Sequence, residues 1–359
     1  MSGHIQRKWL LALSAVSCVL VARSGLAAAD EEKAPDKGTK PEHAEAEAGG
    51  GHEEEAEEGS EEGGKEGEGH KKHEEVGVLD VDLVLGWGKV PFVVPNGQTN
   101  PAAPQVLTFS RSDQTPSNVQ SFIFGGGLEV APHVGVGLRV PLTFATFNPD
   151  GAASRSAAGL GNVELEGEYC GSVARGLRLV GTLGLALPVA QGNEIPDVLV
   201  NAPSGSFDQA AYDRFSMAKA AAYARGYEDN ALFEPNRFGI IPKVGLLWRF
   251  HGLSVEPYLK VENLVGTSSS LANGYVGELV GALRVGYWIQ KEFELAVRGW
   301  FNTGFAGGDE DKVTSAAVEP QVVLRFGPVR PYAGLLLPVA GPPNDNGFIG
   351  ARIGVAAGF

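Results

Sequence analysis

The sequence predicts an all-β protein, a 12-stranded antiparallel transmembrane β-barrel that follows a disordered N-terminal tail. Three observations predict this fold. Apolar residues alternate with small or polar ones between residues 77 and 359, short and long connections alternate between these segments, and no apolar run reaches the roughly 20 residues of a membrane-spanning helix. If the chain enters a membrane, it therefore does so as strands.

Residues 1–29 have the pattern of a signal peptide for export. Arg7 and Lys8 precede a short apolar run, and three alanines at the end of the segment supply the small residues of a cleavage site. The apolar run is about 13 residues long, which is too short to cross a bilayer. An uncleaved anchor and a lipoprotein site at Cys18 are the alternatives.

Residues 30–76 form a separate acidic segment. They contain 18 acidic residues, 6 lysines and no aromatic residue, so they cannot bury enough apolar surface to offset the entropy of an ordered chain. We expect a disordered periplasmic tail. Its histidines have no fixed spacing, and the alternatives are weak binding of a divalent metal or a simple solvated linker. They are His43, His52, His70 and His73.

Five strands are predicted in the first half of the barrel, which covers residues 77–359. In the first strand, Leu79, Val81 and Leu83 share one face, whereas Asp80 and Asp82 lie on the other. The same two-faced pattern recurs in each of the others. The five segments are GVLDVDLVLGWG, SFIFGGGLEV, VGVGLRVPLTF, GNVELEGEY and LRLVGTLGLAL.

Seven further strands are predicted in the second half. In one of them, Val255 and Leu259 lie on the face opposite to Glu256 and Lys260. An even total of twelve strands agrees with the strand numbers of bacterial outer-membrane barrels. The seven segments are RFGIIPKVGLLWRF, LSVEPYLKVEN, ELVGALRVGYWI, FELAVRGWFN, AVEPQVVLRF, VRPYAGLLLPV and GFIGARIGVAAGF.

The connections indicate how the barrel is oriented. Tight connections around APH, VARG, HG, QKE and GP alternate with longer ones. Short periplasmic turns and longer extracellular loops are typical of outer-membrane barrels. We therefore predict a location in the bacterial outer membrane with both chain ends in the periplasm. A water-soluble barrel or sandwich, with its apolar faces turned inward, is the alternative.

Aromatic residues cluster where the predicted strands leave the membrane, as expected for rings that favour the interface. Phe359 ends the last strand and resembles the signal that such barrels present to their assembly machinery. Membrane lipid, periplasmic chaperones and the barrel-assembly machinery are therefore the predicted partners. The predicted interface anchors are Trp87 at the outer rim and Trp248, Phe250, Tyr287, Phe326 and Phe359 at the inner rim.

The charged residues face the lumen if the apolar residues face lipid. Acids and bases occur on neighbouring strands, where cross-strand pairs form. These pairs either line a selective passage for small polar solutes or only brace the wall. The candidates are Asp80, Asp82, Arg139, Glu164, Glu166, Glu168, Arg178, Lys243, Arg249, Lys260, Arg284, Arg298, Arg325 and Arg352.

The predicted loop between residues 188 and 236 is too long for a simple connection. Within it, SFDQAAYDRFSMAKAAAYARG predicts a helix, with Ser206 and Gln209 as a capping box and Gly226 at its end. The helix either folds over the mouth or into the lumen as a constriction, or it forms a surface flap. We favour the flap.

Catalysis finds little support in the sequence. There is no G-x-S-x-G elbow, no HExxH and no P-loop. Between residues 77 and 359 the only histidines are His133 and His251, and both fall in predicted periplasmic turns, where they are poorly placed to act as a base. We predict that the protein is not an enzyme and uses no cofactor.

Two segments carry a family resemblance, AGLGNVELEGEY and LRLVGTLGLALPVAQG. A glycine-rich strand start, an alternating strand that ends near Tyr, and a strand that ends in Pro near a Gly resemble the outer-membrane transporter-like family labelled "MetA-pathway of phenol degradation". Asn162 stands where that family would have Asp, and Glu168 stands where a basic residue is common. The resemblance implies a 12-stranded barrel of the transporter class, without phenol as an established substrate.

Together, these features predict a passive, porin-like channel or transporter for small solutes, with no nucleic-acid partner. A structural or partner-binding barrel with a closed lumen is the alternative, and an outer-membrane enzyme is a distant third.

Overall fold

The computed structural model describes residues 77–100, 103–192, 208–268, 271, 274–307 and 314–359, and only the backbone of 93–100 and 103–113. The predicted signal peptide, the acidic tail with its four histidines, and Ser206 lie outside these residues. No helix among them is both long and apolar enough to cross a bilayer.

Thirteen strands in the described part of the chain form one antiparallel sheet. They are β1 (Gly77–Asn100), β2 (Ala103–Ala131), β3 (Val134–Phe147), β4 (Arg155–Leu160), β5 (Val163–Ala174), β6 (Leu177–Leu187), β7 (Arg237–Phe250), β8 (Leu253–Gly266), β9 (Tyr275–Gln290), β10 (Phe293–Ala306), β11 (Thr314–Leu324), β12 (Val329–Ala340) and β13 (Ile349–Gly358). Two α-helices accompany them, α1 (Gln209–Ala224) and α2 (Pro342–Asp345), together with a 3-10 turn at Asn230–Leu232.

The sheet closes on itself. Each strand pairs with its neighbours along the chain, except that β4 and β5 do not pair with each other, and β1 pairs with β13 as well as with β2. The Gly77 amide donates to the Phe359 carbonyl at 3.0 Å, and the Phe359 amide donates to the Gly77 carbonyl at 2.9 Å. Because β4 and β5 both pair with β3 and together occupy a single position in the wall, the wall has twelve strand positions. The predicted 12-stranded antiparallel barrel is therefore confirmed.

The break between β4 and β5 was not predicted. Pro141 of β3 has no amide hydrogen to donate, which interrupts the ladder at that level. There the Gly161 amide donates to the Pro141 carbonyl at 3.0 Å, and the Asn162 amide donates to the Leu232 carbonyl at 2.7 Å, away from the wall. A Cβ atom on Gly161 would lie 2.3 Å from that Leu232 carbonyl, so only glycine fits.

The prediction of a long loop between the first two strands is wrong. β1 and β2 stay paired as far as Asn100 and Ala103, with register shifts between Val90 and Phe92 and again near Pro95. In a continuous hairpin the backbone N–H and C=O groups bond to each other. In an irregular loop of the same length, many of these groups would have to bond to water instead. This hairpin extends the wall on the side of the long connections.

The short connections all lie at one end of the barrel, which we call the short-turn end; the opposite end is the long-loop end. His251 and Gly252 form a two-residue turn with positive φ angles of 47° and 83°. Positive φ at both positions is the geometry of a type I′ hairpin, whose twist matches that of the strands. Gly176 and His133 have positive φ in the corresponding turns.

Apolar side chains cover the outside of the wall, and polar ones point into the barrel. Leu283 is 47% exposed, whereas Glu262 is 1% exposed and Glu319 is fully buried. This arrangement is the reverse of a water-soluble barrel and suits a wall in contact with lipid. The six predicted anchors all have exposed rings, with Trp87 toward the long-loop end and Trp248, Phe250, Tyr287, Phe326 and Phe359 toward the short-turn end.

We expect Leu283→Arg, in the middle of β9, to lower the free energy of folding into bilayers by about 2–4 kcal/mol, because the charge faces hydrocarbon. Denaturant titration in lipid vesicles measures this cost. Leu283→Ala is the control for loss of side-chain volume. Equal stability of the two variants would contradict a lipid-facing position.

Candidate functional site

Residues 208–236 fold into the barrel, and we call them the plug segment. Helix α1 packs against β1 to β4 inside the wall, and Ala220, Ala221 and Ala224 have no exposed surface. The favoured prediction of a surface flap is therefore wrong, and this part of the loop is a constriction in the lumen. A barrel of this strand number is wide enough to accommodate more than its own side chains.

An apolar lining receives the helix. On the long-loop side, the inward faces of β1, β2 and β3 carry aliphatic and aromatic residues, so the lumen is not charged throughout. The residues packed around α1 are Val84, Val90, Phe92, Val119, Ile123, Ala145, Phe147 and Phe348. The alternation of β1 hides this lining, because beyond Asp82, toward the long-loop end, its inward positions are as apolar or small as its outward ones.

Close approach of helix and wall depends on small residues. A Cβ atom on Gly86 of β1 would lie 2.4 Å from the Cβ of Ala224, and one on Gly350 of β13 would lie 2.9 Å from the Ala224 carbonyl oxygen. Such contacts leave no room for a side chain. The last turn of α1 is thus pressed against the wall where β1 meets β13.

The helix begins two residues after the start that the predicted capping box implies. Asp208 is the N-cap, and its Oδ1 accepts hydrogen bonds from the amides of Ala210 and Ala211 at 3.0 and 3.1 Å. Gln209 is the first helical residue, and its Nε2 donates to Asp213 at 2.7 Å. Asp is as good a cap as Ser, so the helix signal was right and its cap was wrong.

The helix ends at Gly226, as predicted. Gly226 has φ of 61°, its amide donates to the Tyr223 carbonyl, and the Tyr227 amide donates to the Ala222 carbonyl. This pair of bonds is a Schellman motif. The Trp300 indole donates to the Gly226 carbonyl at 2.9 Å. The turn directs residues 225–230, which we call the plug tip, across the lumen.

Arg225 is the first charged contact of the plug tip. Its guanidinium is 2% exposed and donates to Asp82 Oδ2 at 2.6 Å and to the Ser121 hydroxyl and carbonyl at 3.1 Å each. Asp82 also accepts from Arg352 at 2.9 and 3.0 Å. One wall carboxylate is thus shared between a wall arginine and a plug arginine.

Asp229 is negatively charged and contacts a different part of the wall, formed by β3 and β8. Its Oδ1 accepts from Arg139 Nη2 at 2.9 Å, while Arg139 Nη1 donates to Glu164 Oε2 at 2.9 Å. Lys260 Nζ lies 4.0 Å from Asp229 and 2.6 Å from Glu262. Asp229 therefore lies between two cations, Arg139 and Lys260, that also form ion pairs with glutamates of the wall.

Glu228 binds a third group of wall residues. Its carboxylate accepts from both Nη atoms of Arg298 and from the Tyr258 hydroxyl, and it lies 3.6 Å from Arg352 Nη1. Lys260 donates to the Glu228 carbonyl oxygen. Contacts to β8, β10 and β13 thus converge on one residue of the plug tip.

Amide side chains complete the docking. Asn230 Nδ2 donates to Glu278 Oε1, and Asn302 Nδ2 donates to Glu278 Oε2, both at 2.7 Å. Glu262 accepts from the Ala231 amide at 2.8 Å. Asn162 is fully buried at the break in the wall and donates to the Ala231 and Glu234 carbonyls at 2.8 and 2.7 Å.

The two plug-tip acids stay ionised in this setting. Burial raises the pKa of Asp229, but Arg139 and Lys260 outweigh it and hold that pKa well below its usual range. Burial likewise raises the pKa of Glu228, and Arg298 more than offsets it, so the pKa is lowered. A depressed pKa contributes stability at neutral and mildly acidic pH that is lost as the pH falls through the folded-state value.

The predicted lumen residues fall into two groups. Those at the level of the plug tip form the network just described: Asp82, Arg139, Glu164, Glu166, Lys260, Arg298 and Arg352. The second group comprises Arg178 and Arg249 beside the short-turn end, Lys243 and Arg284 opposite Lys260 and Arg298 in the strand register, and also Asp80 and Glu168. Arg325 lies beyond the end of β11, in the turn before β12.

Several contact residues were missed. Arg225, Glu228 and Asp229 lie in the predicted loop, although the run of charges directly after the helix was a visible signal. Asn162 was noted only as a departure from a family pattern, and nothing in the alternation marked it as a buried hydrogen-bonding centre. Among the residues that the structure describes, no three His, Cys, Asp or Glu side chains are arranged to hold a metal ion.

No protein-family model matches the chain, and no curated protein matches it in sequence. In fold, it is similar to the COG4313 outer membrane channel from Pseudomonas putida F1, with a TM-score of 0.51 and 12% identity over 79% of this chain and 96% of that one. It also aligns with the KdgM porin (TM-score 0.38, 8% identity, 79% and 99% covered) and the Pseudomonas putida toluene transporter TodX (0.34, 11%, 79% and 89%). The chain has the fold of an outer-membrane channel barrel.

We expect Arg225→Met to weaken docking of the plug segment by on the order of 3 kcal/mol, because a buried charge-assisted contact is lost while Asp82 keeps Arg352. Hydrogen exchange of the amides in α1 measures the loss. Lys291→Met is the control, since Lys291 is exposed in the short turn between β9 and β10, away from the plug segment, and this variant should leave the exchange rates unchanged. Equal exchange rates in the two variants would contradict the assigned role of Arg225.

Proposed function

We propose that this protein is a passive channel of the bacterial outer membrane, gated by its inward-folded plug segment. In this proposal the short-turn end is periplasmic and the long loops are extracellular. Small solutes enter from the long-loop end, pass the plug tip when it moves, and leave through the charged half of the lumen. The process is diffusion and involves no chemical step.

The nature of the plug contacts is the observation that carries this proposal. The plug tip is held by ion pairs and hydrogen bonds to β1, β3, β8, β9, β10 and β13 rather than by apolar packing on all sides. Ion pairs can exchange with water and salt, whereas a continuous apolar core opens only by exposing its surface. A wall built of arginines and carboxylates can therefore accept the plug and also line a watery path without it.

The fold supports membership of a transporter-like group of outer-membrane barrels. The family resemblance in the sequence, the "MetA-pathway of phenol degradation" type, belongs to this proposal and suggests a small organic solute. The predicted selectivity residues, interface anchors, and lipid and assembly partners are also parts of it. We further propose that both chain ends are periplasmic, since Gly77 and Phe359 pair at the short-turn end.

A structural barrel with a permanently closed lumen is the second candidate. It is favoured by the burial of the wall groups around the plug tip, since Glu262 and Glu319 are almost inaccessible to solvent. In that case the arginine and carboxylate pairs would only stiffen the wall.

Single-channel recording in planar bilayers separates the two candidates. We expect the chain lacking residues 1–29 to conduct rarely or weakly, and Asp229→Asn to open more often, because Arg139 loses its ionised plug partner. Replacement of the whole plug segment, residues 208–236, by a short Gly-Ser linker should give a steady, larger conductance. The Lys291→Met variant, altered in an exposed short turn, is the control and should behave as the unaltered chain does.

Loss of heat-modifiable migration on gels would reveal a variant that no longer forms the barrel. If correctly folded barrels carry no current with the plug in place, with Asp229→Asn and with the linker, the channel proposal is wrong and the structural barrel is right.

A further inference from the structure

Three arginines lie at the same level of the lumen, close to the short-turn end. Arg178 is the second residue of β6, Arg249 is the second last of β7, and Arg330 is the second of β12. Each of them alternates with lipid-facing neighbours such as Leu179 and Phe250, so each points inward. Arg249 is within electrostatic range of both other arginines.

Arg249 differs from the wall arginines at the plug level, because its guanidinium makes no ion pair with a described residue. Its Nε is buried and has no hydrogen-bond partner. A buried guanidinium N–H that donates to nothing costs free energy, and a planar fork of donors is suited to two oxygens of one anion. The side chain is thus placed to receive a ligand.

The two acids that interact electrostatically with Arg249, Glu256 and Glu294, form hydrogen bonds with other residues. Glu256 accepts from Arg284 Nη1 at 3.0 Å, and Glu294 accepts from Arg284 Nη2 at 2.8 Å and from the Ser254 hydroxyl at 2.9 Å. The carboxylates within electrostatic range of Arg249 thus already serve Arg284, while Arg178 and Arg330 add positive charge around it. An anion from solution would find donors there that the wall does not satisfy.

Solvent reaches this level from the short-turn end. The Glu256 side chain is 33% exposed, whereas the Glu262 side chain, further along β8 toward the plug tip, is 1% exposed. Arg249 is itself partly exposed, so solvent contacts its side chain with the plug segment in place.

We propose that Arg249, flanked by Arg178 and Arg330, forms a binding site for a small oxyanion on the short-turn side of the plug. The ligand class is a carboxylate or a phosphate, which share the paired oxygens that a guanidinium recognises. A role of this site in binding solutes that cross the barrel rests on the proposed channel function. Binding itself requires no conduction.

The test measures binding of two probes to the full chain without residues 1–29, in detergent at low ionic strength, where the attraction is least screened. Line broadening of the ³¹P signal reports inorganic phosphate, and broadening of the carboxyl ¹³C signal reports labelled acetate. We expect at least one probe to bind, and Arg249→Gln to weaken it by roughly tenfold or more. Which probe binds identifies the oxyanion.

Arg249→Lys keeps the charge and loses the fork, so it should bind with intermediate affinity and provides a second variant if Arg249→Gln fails to fold. Arg155→Gln removes a positive charge at the opposite end and should leave binding unchanged. No broadening of either probe by the unaltered chain, or equal broadening by Arg249→Gln, would overturn the site. Because neither probe needs to cross the barrel, a failure of binding and a failure of conductance are distinguishable.

Discussion

The charges of the plug tip must be matched by the wall, because a buried ion without a partner costs several kcal/mol. Arg225, Glu228 and Asp229 bring one positive and two negative charges into the middle of the barrel. Arg225 pairs with Asp82, Glu228 pairs with Arg298, and Asp229 pairs with Arg139. Since these wall residues lie on three strands around the circumference, the plug tip has one position in which all three are satisfied.

The lipid environment dictates where such partners can come from. One face of every strand is committed to apolar residues, so only alternate positions remain for polar contacts. The inward positions are divided again, with an apolar lining beside helix α1, smaller apolar clusters on β6 to β12, and charged residues around the plug tip. The helix and the tip of one segment are therefore held by two different kinds of interaction, one that scales with buried area and one that is weakened by salt.

The break between β4 and β5 joins the wall to the plug segment. Pro141 cannot continue the ladder, Gly161 allows the plug backbone to approach, and Asn162 donates to it from within the wall. A local defect in strand pairing thus supplies hydrogen bonds for a segment about seventy residues further along the chain. This role explains why the alternating pattern is interrupted at AGLGN.

Much of the fold is determined by the sequence itself. Alternation fixes which residues face lipid, Gly and His at two-residue turns fix the tight connections, and Gly226 fixes the end of α1, because each of these is a property of neighbouring residues. The fold class, the strand faces and most strand bounds follow from such local rules. The cap at Asp208 was within reach of the same rules.

Only the tertiary structure decided where the plug lies and which charges meet. The pairing of Arg225 with Asp82 joins residues 143 positions apart, and it depends on closure of the sheet and on the register of β1. Alternation places both Arg139 and Arg249 in the lumen without distinguishing the arginine that pairs with Asp229 from the one whose guanidinium pairs with no described residue. That difference depends on which residues meet inside the closed barrel, and these residues lie on segments that are far apart in the sequence.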